Sequence, residues 1–376
     1  MPGQNAQPGE TAAACPDAVC LSGVAALDSP PEHGVALPII AFYPEISFTL
    51  AATSSSTASS LALISQDMLQ VDEVIAQRLD SSVPLVGQVA RYIISAGGKR
   101  LRPALLLLAC GALGYQGAQR FNIAAVIEFI HTATLLHDDV VDESTLRRGR
   151  PTANESFGNP ASVLVGDFLH SRAFQMMVDA DDMRIMQILS EATNVIAEGE
   201  VQQLMNTHDA SLSEAGYLQV IRSKTAKLFE ASTRLAAVLA RSPADIEDAC
   251  AAYGQALGTA FQVIDDVLDY DGDASEMGKN LGDDLREGKV TLPLIIAMQR
   301  GSQAQRQLIR QAIEAGATDE LASVIAIVKE TGALDATRQA AAAQAQLALD
   351  AAAQLPENAH TFALRELASQ LLDRRV

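Results

Sequence analysis

Tryptophan is absent from this 376-residue chain, and aromatic residues together make up only 4% of it. Any core must be built from aliphatic side chains. Ala and Leu are plentiful, and both favour helix. Cations are scarce as well: 27 Lys and Arg stand against 46 Asp and Glu, a formal net charge of −19. A chain without a basic footprint is excluded as a general nucleic-acid binder. Its few basic clusters therefore run against the background and mark places of interest. No run of about 18 uncharged apolar residues occurs, so no transmembrane segment is expected. No basic stretch leading into an apolar one opens the chain, so no secretory leader is expected either. There are four cysteines. Cys15 and Cys20 lack the Cys or His neighbours of a four-ligand zinc site, while Cys110 and Cys250 fall in apolar helical patterns as small core residues. A reducing, cytoplasmic compartment fits this usage.

Hydrophobic residues reach 48%, enough for one large domain or two ordinary ones. Residues 1–60 stand apart. Pro, Gly, Ala and Ser dominate, Thr53-Ser54-Ser55-Ser56-Thr57 is low complexity, and helical periodicity is missing, which predicts a disordered extension. Its apolar pieces, Val35 to Ile40 and Phe42 to Leu50, fit either a docking segment or translated upstream sequence. From Leu61 the pattern turns helical and stays so over 61–376, a single domain. Leu69, Val71, Val74, Ile75 and Leu79 recur at three-to-four spacing. Pro84 marks a helix start. The stretch from about Asn122 to Asp142 is apolar nearly all round, which predicts a central, buried helix. Further helices are predicted over about 160–180, 182–206, 213–240, 243–270 and from Leu292 onward. No hairpin dipeptide sits between alternating segments, so the fold class is all-α.

The chemistry concentrates at the end of the central helix, in His137-Asp138-Asp139-Val140-Val141-Asp142, followed by Arg147-Arg148. Asp138 and Asp142 are four residues apart, on one helix face and one turn apart. Asp139 points about 100° away, so it reads as a supporting group or weaker ligand. Two facing carboxylates repel unless a cation neutralises them. Hard divalent cations prefer oxygen, and Mg2+ combines one or two carboxylates with phosphate oxygens. The arginine pair suits phosphate through its bidentate guanidinium forks. A charged, solvated helix end is the bland alternative. A second motif weighs against it. Asp265-Asp266-x-x-Asp269 repeats the spacing at the foot of another apolar helix, 265 − 138 = 127 residues later. A calcium loop there fails, because the Gly and bidentate Glu it needs are Ala274 and Asn280. Two such motifs predict a shared cavity with metal ions between them.

With these motifs in hand, the chain resembles the trans-isoprenyl diphosphate synthases. Gly98-Lys99-Arg100-Leu101-Arg102-Pro103, Lys224-Thr225, Phe261-Gln262-Val263-Ile264-Asp265-Asp266 and Gly278-Lys279-Asn280 match in order from about Leu61 to the C-terminus. Val195-Ile196-Ala197-Glu198-Gly199-Glu200-Val201 and Ser223-Lys224-Thr225-Ala226 are most similar to the bacterial octaprenyl-forming group. The resemblance implies a helical bundle around a central cavity, a homodimer, and two or three Mg2+ per site. Asp138 and Asp142 would bind Mg2+ bridging an allylic diphosphate, with Asp265 and Asp269 holding a further ion. Arg147, Lys224, Thr225, Gln262 and Lys279 would contact that allylic diphosphate, such as farnesyl diphosphate. Lys99, Arg102, His131 and Arg148 would hold isopentenyl diphosphate. Taken alone, His131 is an ordinary core histidine, Lys99 and Arg102 a solvated helix start, and Lys224 a surface cation.

In this family the helix before the first motif lines the product tunnel. Here Thr134 and Ala133, four and five residues before Asp138, are not aromatic, so a chain can grow past them. Above them come Ile130, Phe129, Val126 and Ala125. Val126 is twelve residues back, about 18 Å of helix. That predicts a long product, octaprenyl by resemblance, for a quinone side chain, with Phe129 or Ile130 forming part of the floor. Two rivals remain. A class I terpene cyclase would carry a different second motif, and a non-catalytic partner subunit would lack one of the two.

Overall fold

The computed structural model describes residues 57–271, 281–316 and 319–373, all within one compact unit. The extension as far as Ser56, with Cys15 and Cys20, lies outside the described residues. So do Gly278, Lys279 and Asn280 and the aspartate tract beyond Asp271. The described chain is built of helices α1 (Thr57–Ala62), α2 (Ser65–Arg78), α3 (Pro84–Ser95), α4 (Leu101–Ala112), α5 (Gln119–Val141), α6 (Ala153–Phe157), α7 (Asn159–Asp179) and α8 (Met183–Asn206). After these come α9 (Glu214–Ile221), α10 (Lys227–Leu239), α11 (Ala244–Asp271), α12 (Asp283–Arg286), α13 (Leu292–Arg300), α14 (Gln303–Ala315), α15 (Leu321–Glu330), α16 (Ala333–Ala352) and α17 (Ala359–Gln370). The all-α reading holds, and the helix starts follow local chemistry. Pro84, Pro160 and Pro293 occupy first turns. Ser302 and Gln305 form a reciprocal capping box at α14. The Asn358 side chain accepts from the amides of His360 and Thr361 at α17.

α5 is the central helix its composition predicts. Ile123 to Ile127, Phe129, Ile130, Ala133 and Leu136 are buried on several faces at once. It packs along α7 and α4, while α11 runs between α10 and α16. Two antiparallel ties fix α7 on α5: Ser162 Oγ donates to Leu136 O at 2.9 Å, and Asn122 Nδ2 donates to Met176 O at 3.0 Å. Close helix approach at α10 and α11 depends on Gly254 and Gly258. A Cβ on Gly254 would stand 2.4 Å from Phe229 O. Cys110 and Cys250 are buried free thiols, as their setting predicts. Among the described residues no helix is long and apolar enough to cross a membrane.

Two departures from regular helix shape the ends of the long helices. The segment read as one helix over 213–240 contains a π turn, Arg222–Ala226, between α9 and α10. Gly199 of α8 lies directly against it; a Cβ there would stand 2.8 Å from Ser223 Cβ and 2.9 Å from Lys224 N. π turns concentrate at functional sites because they re-aim side chains. The second departure corrects the expectation of no strand. Leu146–Arg147 (β1) pairs antiparallel with Arg150–Pro151 (β2). Its two-residue loop is Arg148-Gly149, both at positive φ, 53° and 72°. That is the conformation of a tight hairpin turn, reached here with Arg where Asn or Asp is usual.

Candidate active site

The ends of α5, α8 and α11, the π turn and the segment 282–289 meet at one place. Asp138 and Asp142 share a face there, and the Asp142 amide still donates to Asp138 O at 2.8 Å. Each carboxylate meets a lysine from a distant part of the chain. Lys224 Nζ, on the π turn, is 3.8 Å from Asp138 Oδ2 and 2.5 Å from Glu200 Oε2. Lys289 Nζ donates to Asp142 Oδ2 and to Glu287 Oε2, both at 2.8 Å. Burial pushes the Asp138 carboxyl above its usual range; Lys224 opposes this, and Asp142 adds to it. Burial likewise pushes Glu200 up to about 7 against the pull of Lys224. Burial opposes the charge on Lys289, but Asp142, Glu287 and Asp284 outweigh it and raise its pKa. Buried like charges in this balance call for further cations. Among the described residues no three acidic, His or Cys side chains already converge as a closed metal cage. The oxygen-only donors of Asp138 and Asp142 fit a hard divalent ion completed by oxygens of a ligand.

The other aspartates take different parts. Asp139 is fully buried and turned away from its neighbours. It grips Arg147 in a fork, accepting from Nε at 2.9 Å and Nη2 at 2.6 Å. This holds the β1–β2 hairpin beside the site. Asp266 accepts from Tyr217 Oη at 2.5 Å and Gln262 Nε2 at 2.8 Å. Gln262 Oε1 in turn accepts from Thr225 Oγ1 at 2.9 Å, so Thr225 and Gln262 stand together next to Lys224. Asp265 lies near enough to Arg102 to support its charge. Asp269 is fully buried, and one carboxylate oxygen accepts the Asp284 amide at 3.3 Å. It thus braces the segment after α11.

On the other side of α5 the scarce cations gather. Arg102 Nη1 is 3.1 Å from His131 Nε2, and its guanidinium lies 4.6 Å above the Phe229 ring. Burial takes Arg102 down to about 10. Burial, then the charges of Arg102, Arg148 and Arg147, hold His131 well below its ordinary pKa, so the ring is neutral and accepts from Arg102. Arg148 needs the space left by Gly98, where a Cβ would stand 2.7 Å from the guanidinium nitrogens. Arg100 is paired with Asp72 and Glu128 and orients the start of α4. Arg102, His131 and Arg148 therefore come from one neighbourhood, with Lys99 preceding Arg100 at the start of α4.

The buried, neutral state of His131 carries a pH signature. Folding depresses its pKa, so the unfolded chain takes up the proton first. The stability is complete above about 6.5 and falls as pH drops below that value. His131→Gln should flatten the Tm difference between pH 7 and pH 5, read by thermal denaturation. An unchanged difference would show that the ring is not held neutral.

Below Asp138 and Asp142 a cavity of about 620 Å3 opens. One wall is the α5 stripe Ile130, Ala133, Thr134, His137, Asp138 and Val141; the facing wall is the α8 stripe Thr193, Ile196, Ala197, Glu200, Val201 and Leu204. Both step by three and four residues, one face of a helix. Thr134 Oγ1 donates to His131 O at 2.8 Å, so its polar atom is tied to the backbone. Ile130 lines the cavity, but Phe129 does not: it is fully buried in the core, about 100° further round the helix. The sequence reading quoted Val195 to Val201 only as a family match and missed that this stretch of α8, with Glu200, walls the cavity; it also missed Lys289. The α8 stripe was available as three-to-four spacing. Lys289 gave no local signal, because its meaning lies in Asp142, distant in sequence.

Comparison with known proteins gives the family. The polyprenyl synthetase family model matches residues 83–330. Octaprenyl diphosphate synthase of Escherichia coli is 51% identical over 313 residues, 83% of this chain and 97% of that protein. A geranyl-diphosphate-specific all-trans-nonaprenyl-diphosphate synthase of Rhodobacter capsulatus is 49% identical over 317 residues, 84% of this chain and 97% of its own. The crystal structure of a Caulobacter crescentus polyprenyl synthase, complexed with calcium and isoprenyl diphosphate, superposes with a TM-score of 0.83. It shares 44% identity and covers 86% of this chain and 100% of that one. With the first aspartate motif at the mouth of a largely apolar cavity, a second on α11, and with these matches, the chain belongs to the polyprenyl synthetase family.

Proposed function

We propose that this chain is an octaprenyl diphosphate synthase that adds isopentenyl diphosphate repeatedly to an allylic diphosphate such as farnesyl diphosphate, its product serving as a quinone side chain. The observation that carries this reading is the cavity: a charged mouth at Asp138 and Asp142 above an apolar shaft whose neck is Ala133 and Thr134. Relatives of this identity are an octaprenyl diphosphate synthase and an all-trans-nonaprenyl-diphosphate synthase. The apolar side chains Leu164 and Val178 of α7 and Met183 and Met205 of α8 are exposed, which supports a homodimer formed on that side. A cytoplasmic location is part of the same proposal.

In this reading the allylic diphosphate lies at the mouth. Lys224 and Lys289 neutralise it, Thr225 and Gln262 orient it, and Arg147 offers its remaining Nη1 while Asp139 fixes the other edge. Lys279 would add a cation from outside the described residues. Asp138, Asp142, Asp265 and Asp269 would hold two or three Mg2+, Asp269 also bracing the segment behind them through the Asp284 amide. Those ions supply Lewis acidity to the departing diphosphate. Lys99, Arg102, His131 and Arg148 hold the diphosphate of isopentenyl diphosphate. The neutral His131 ring fixes the Arg102 fork. As the allylic C–O bond breaks, negative charge builds on the leaving oxygen, where prearranged cations lower the barrier. The isopentenyl double bond attacks the allylic carbon, and the surplus proton passes to the departing pyrophosphate. The lengthened tail then slides down between α5 and α8.

Purified protein alone, given farnesyl diphosphate, labelled isopentenyl diphosphate and MgCl2, should incorporate label into long linear diphosphates. Cyclised hydrocarbon without label would make the chain a terpene cyclase. No turnover until a second protein is added would make it a non-catalytic subunit.

A further inference from the structure

We propose that His208 is a positioning residue that sets Lys289 against the first aspartate pair, a role resting on the proposed binding of the allylic diphosphate at Lys289. His208 follows α8 and has φ of 64°. A residue other than glycine adopts that conformation at a cost unless its surroundings enforce it. Here they do. The His208 amide donates to Gly288 O at 2.8 Å. Ring Nδ1 is 2.8 Å from Ile313 O, and a carbonyl only accepts, so the proton lies on Nδ1. The ring lies against two glycines of positive φ, Gly288 and Gly316; a Cβ on Gly288 would stand 2.4 Å from its Cε1 and Nδ1. His208 thus clamps Gly288 to the end of α14 by backbone and side chain together.

The next residue is Lys289, whose Nζ reaches Asp142. The same segment is held at its other end on α11. Asp269 O accepts the Gly282 amide at 3.0 Å, and the Asp269 carboxylate accepts the Asp284 amide. The Lys289 amide donates to Asp284 O at 2.8 Å and closes the segment on itself. The second aspartate helix and His208 are therefore two anchors of one strap, and Lys289 hangs from it over the first aspartate helix. Loss of the His208 anchor frees Gly288 and lets the Lys289 ammonium move off the diphosphate position, leaving the cations around Arg102 in place.

The test uses His208→Gly, which suits the positive φ and so preserves folding, with His208→Asn, Lys289→Met and the double variant. His208→Gly is expected to raise KM for farnesyl diphosphate by about tenfold, the range seen when supporting groups are lost, and to leave KM for isopentenyl diphosphate unchanged. His208→Asn, which tolerates the same backbone, should fall between it and the parent. In the double variant the effect should equal that of Lys289→Met alone, since both act through one ammonium. Calorimetric binding of inorganic pyrophosphate in MgCl2 should weaken by the same factor in His208→Gly. An unchanged KM, an equal rise for both substrates, or additive losses would overturn the proposal. If the parent protein shows no turnover, the synthase reading fails by itself, and the pyrophosphate titration alone decides: weakening in His208→Gly upholds the anchor. No binding to the parent, or equal binding to both, removes it.

Discussion

An Asp138→Asn enzyme is expected to lose about a thousandfold in kcat, about 4 kcal/mol of barrier, while its fold is kept. Asp138 stands one turn from Asp142, near Lys224, at the head of the cavity. Asparagine keeps the shape but removes the charge on which a bridging divalent ion depends. The loss should fall on kcat at saturating substrate and raise the Mg2+ concentration needed for half-activity, both read from initial rates of isopentenyl incorporation. Stability should move the other way. Because burial raises the Asp138 pKa in the fold, its stability contribution is present at low pH and is lost as pH rises through the folded pKa. In metal-free buffer at pH 8 the asparagine variant should therefore melt at or above the parent. A variant that keeps its rate, or that loses activity only because it unfolds, would remove Asp138 from the chemistry.

Ala133→Phe is expected to convert a long-chain enzyme into a short-chain one, with first-condensation rates kept. Ala133 lies five residues, about 7.5 Å of helix, from Asp138, on the wall of the cavity. It is 3% exposed, so little room exists for a ring except the shaft itself. A phenyl group there closes the neck above Ile130, and products should stop far short of the parent's length. Ile130→Phe, one turn lower, should stop growth later. Phe129→Ala should leave length little changed and cost about 3 kcal/mol of stability, because it empties core and not tunnel. Reverse-phase chromatography of the dephosphorylated alcohols reads all three. Unchanged length in Ala133→Phe would place the growing chain elsewhere.

Why some of this was legible in the sequence, and some not, depends on how far each signal reaches. Helical spacing is local, so the shared face of Asp138 and Asp142 and the buried α5 could be read directly from the residues, while the part given to Ala133 and Thr134 came from the family resemblance. The separation of Ile130 from Phe129 needs the direction of the core, which the sequence of a helix apolar all round does not give. The 100° offset separates Asp139 from Asp138, but its grip on Arg147 depends on a hairpin whose Arg148-Gly149 turn lacks the usual dipeptide signal. Lys224 sits on a π turn where uninterrupted helix was expected, packed against Gly199 of another helix. Lys289 and His208 lie on irregular backbone. Their meaning comes from partners more than a hundred residues away, Asp142 and Ile313, and no periodicity carries that.

The product tunnel is tested most directly by mass spectrometry of what the purified chain makes from farnesyl diphosphate, isopentenyl diphosphate and MgCl2. The expected result is a linear all-trans series ending at octaprenyl diphosphate, formed without a second protein. A series ending at geranylgeranyl diphosphate would contradict the open neck at Ala133 and Thr134, and with it the assignment of the cavity between α5 and α8 as the product tunnel.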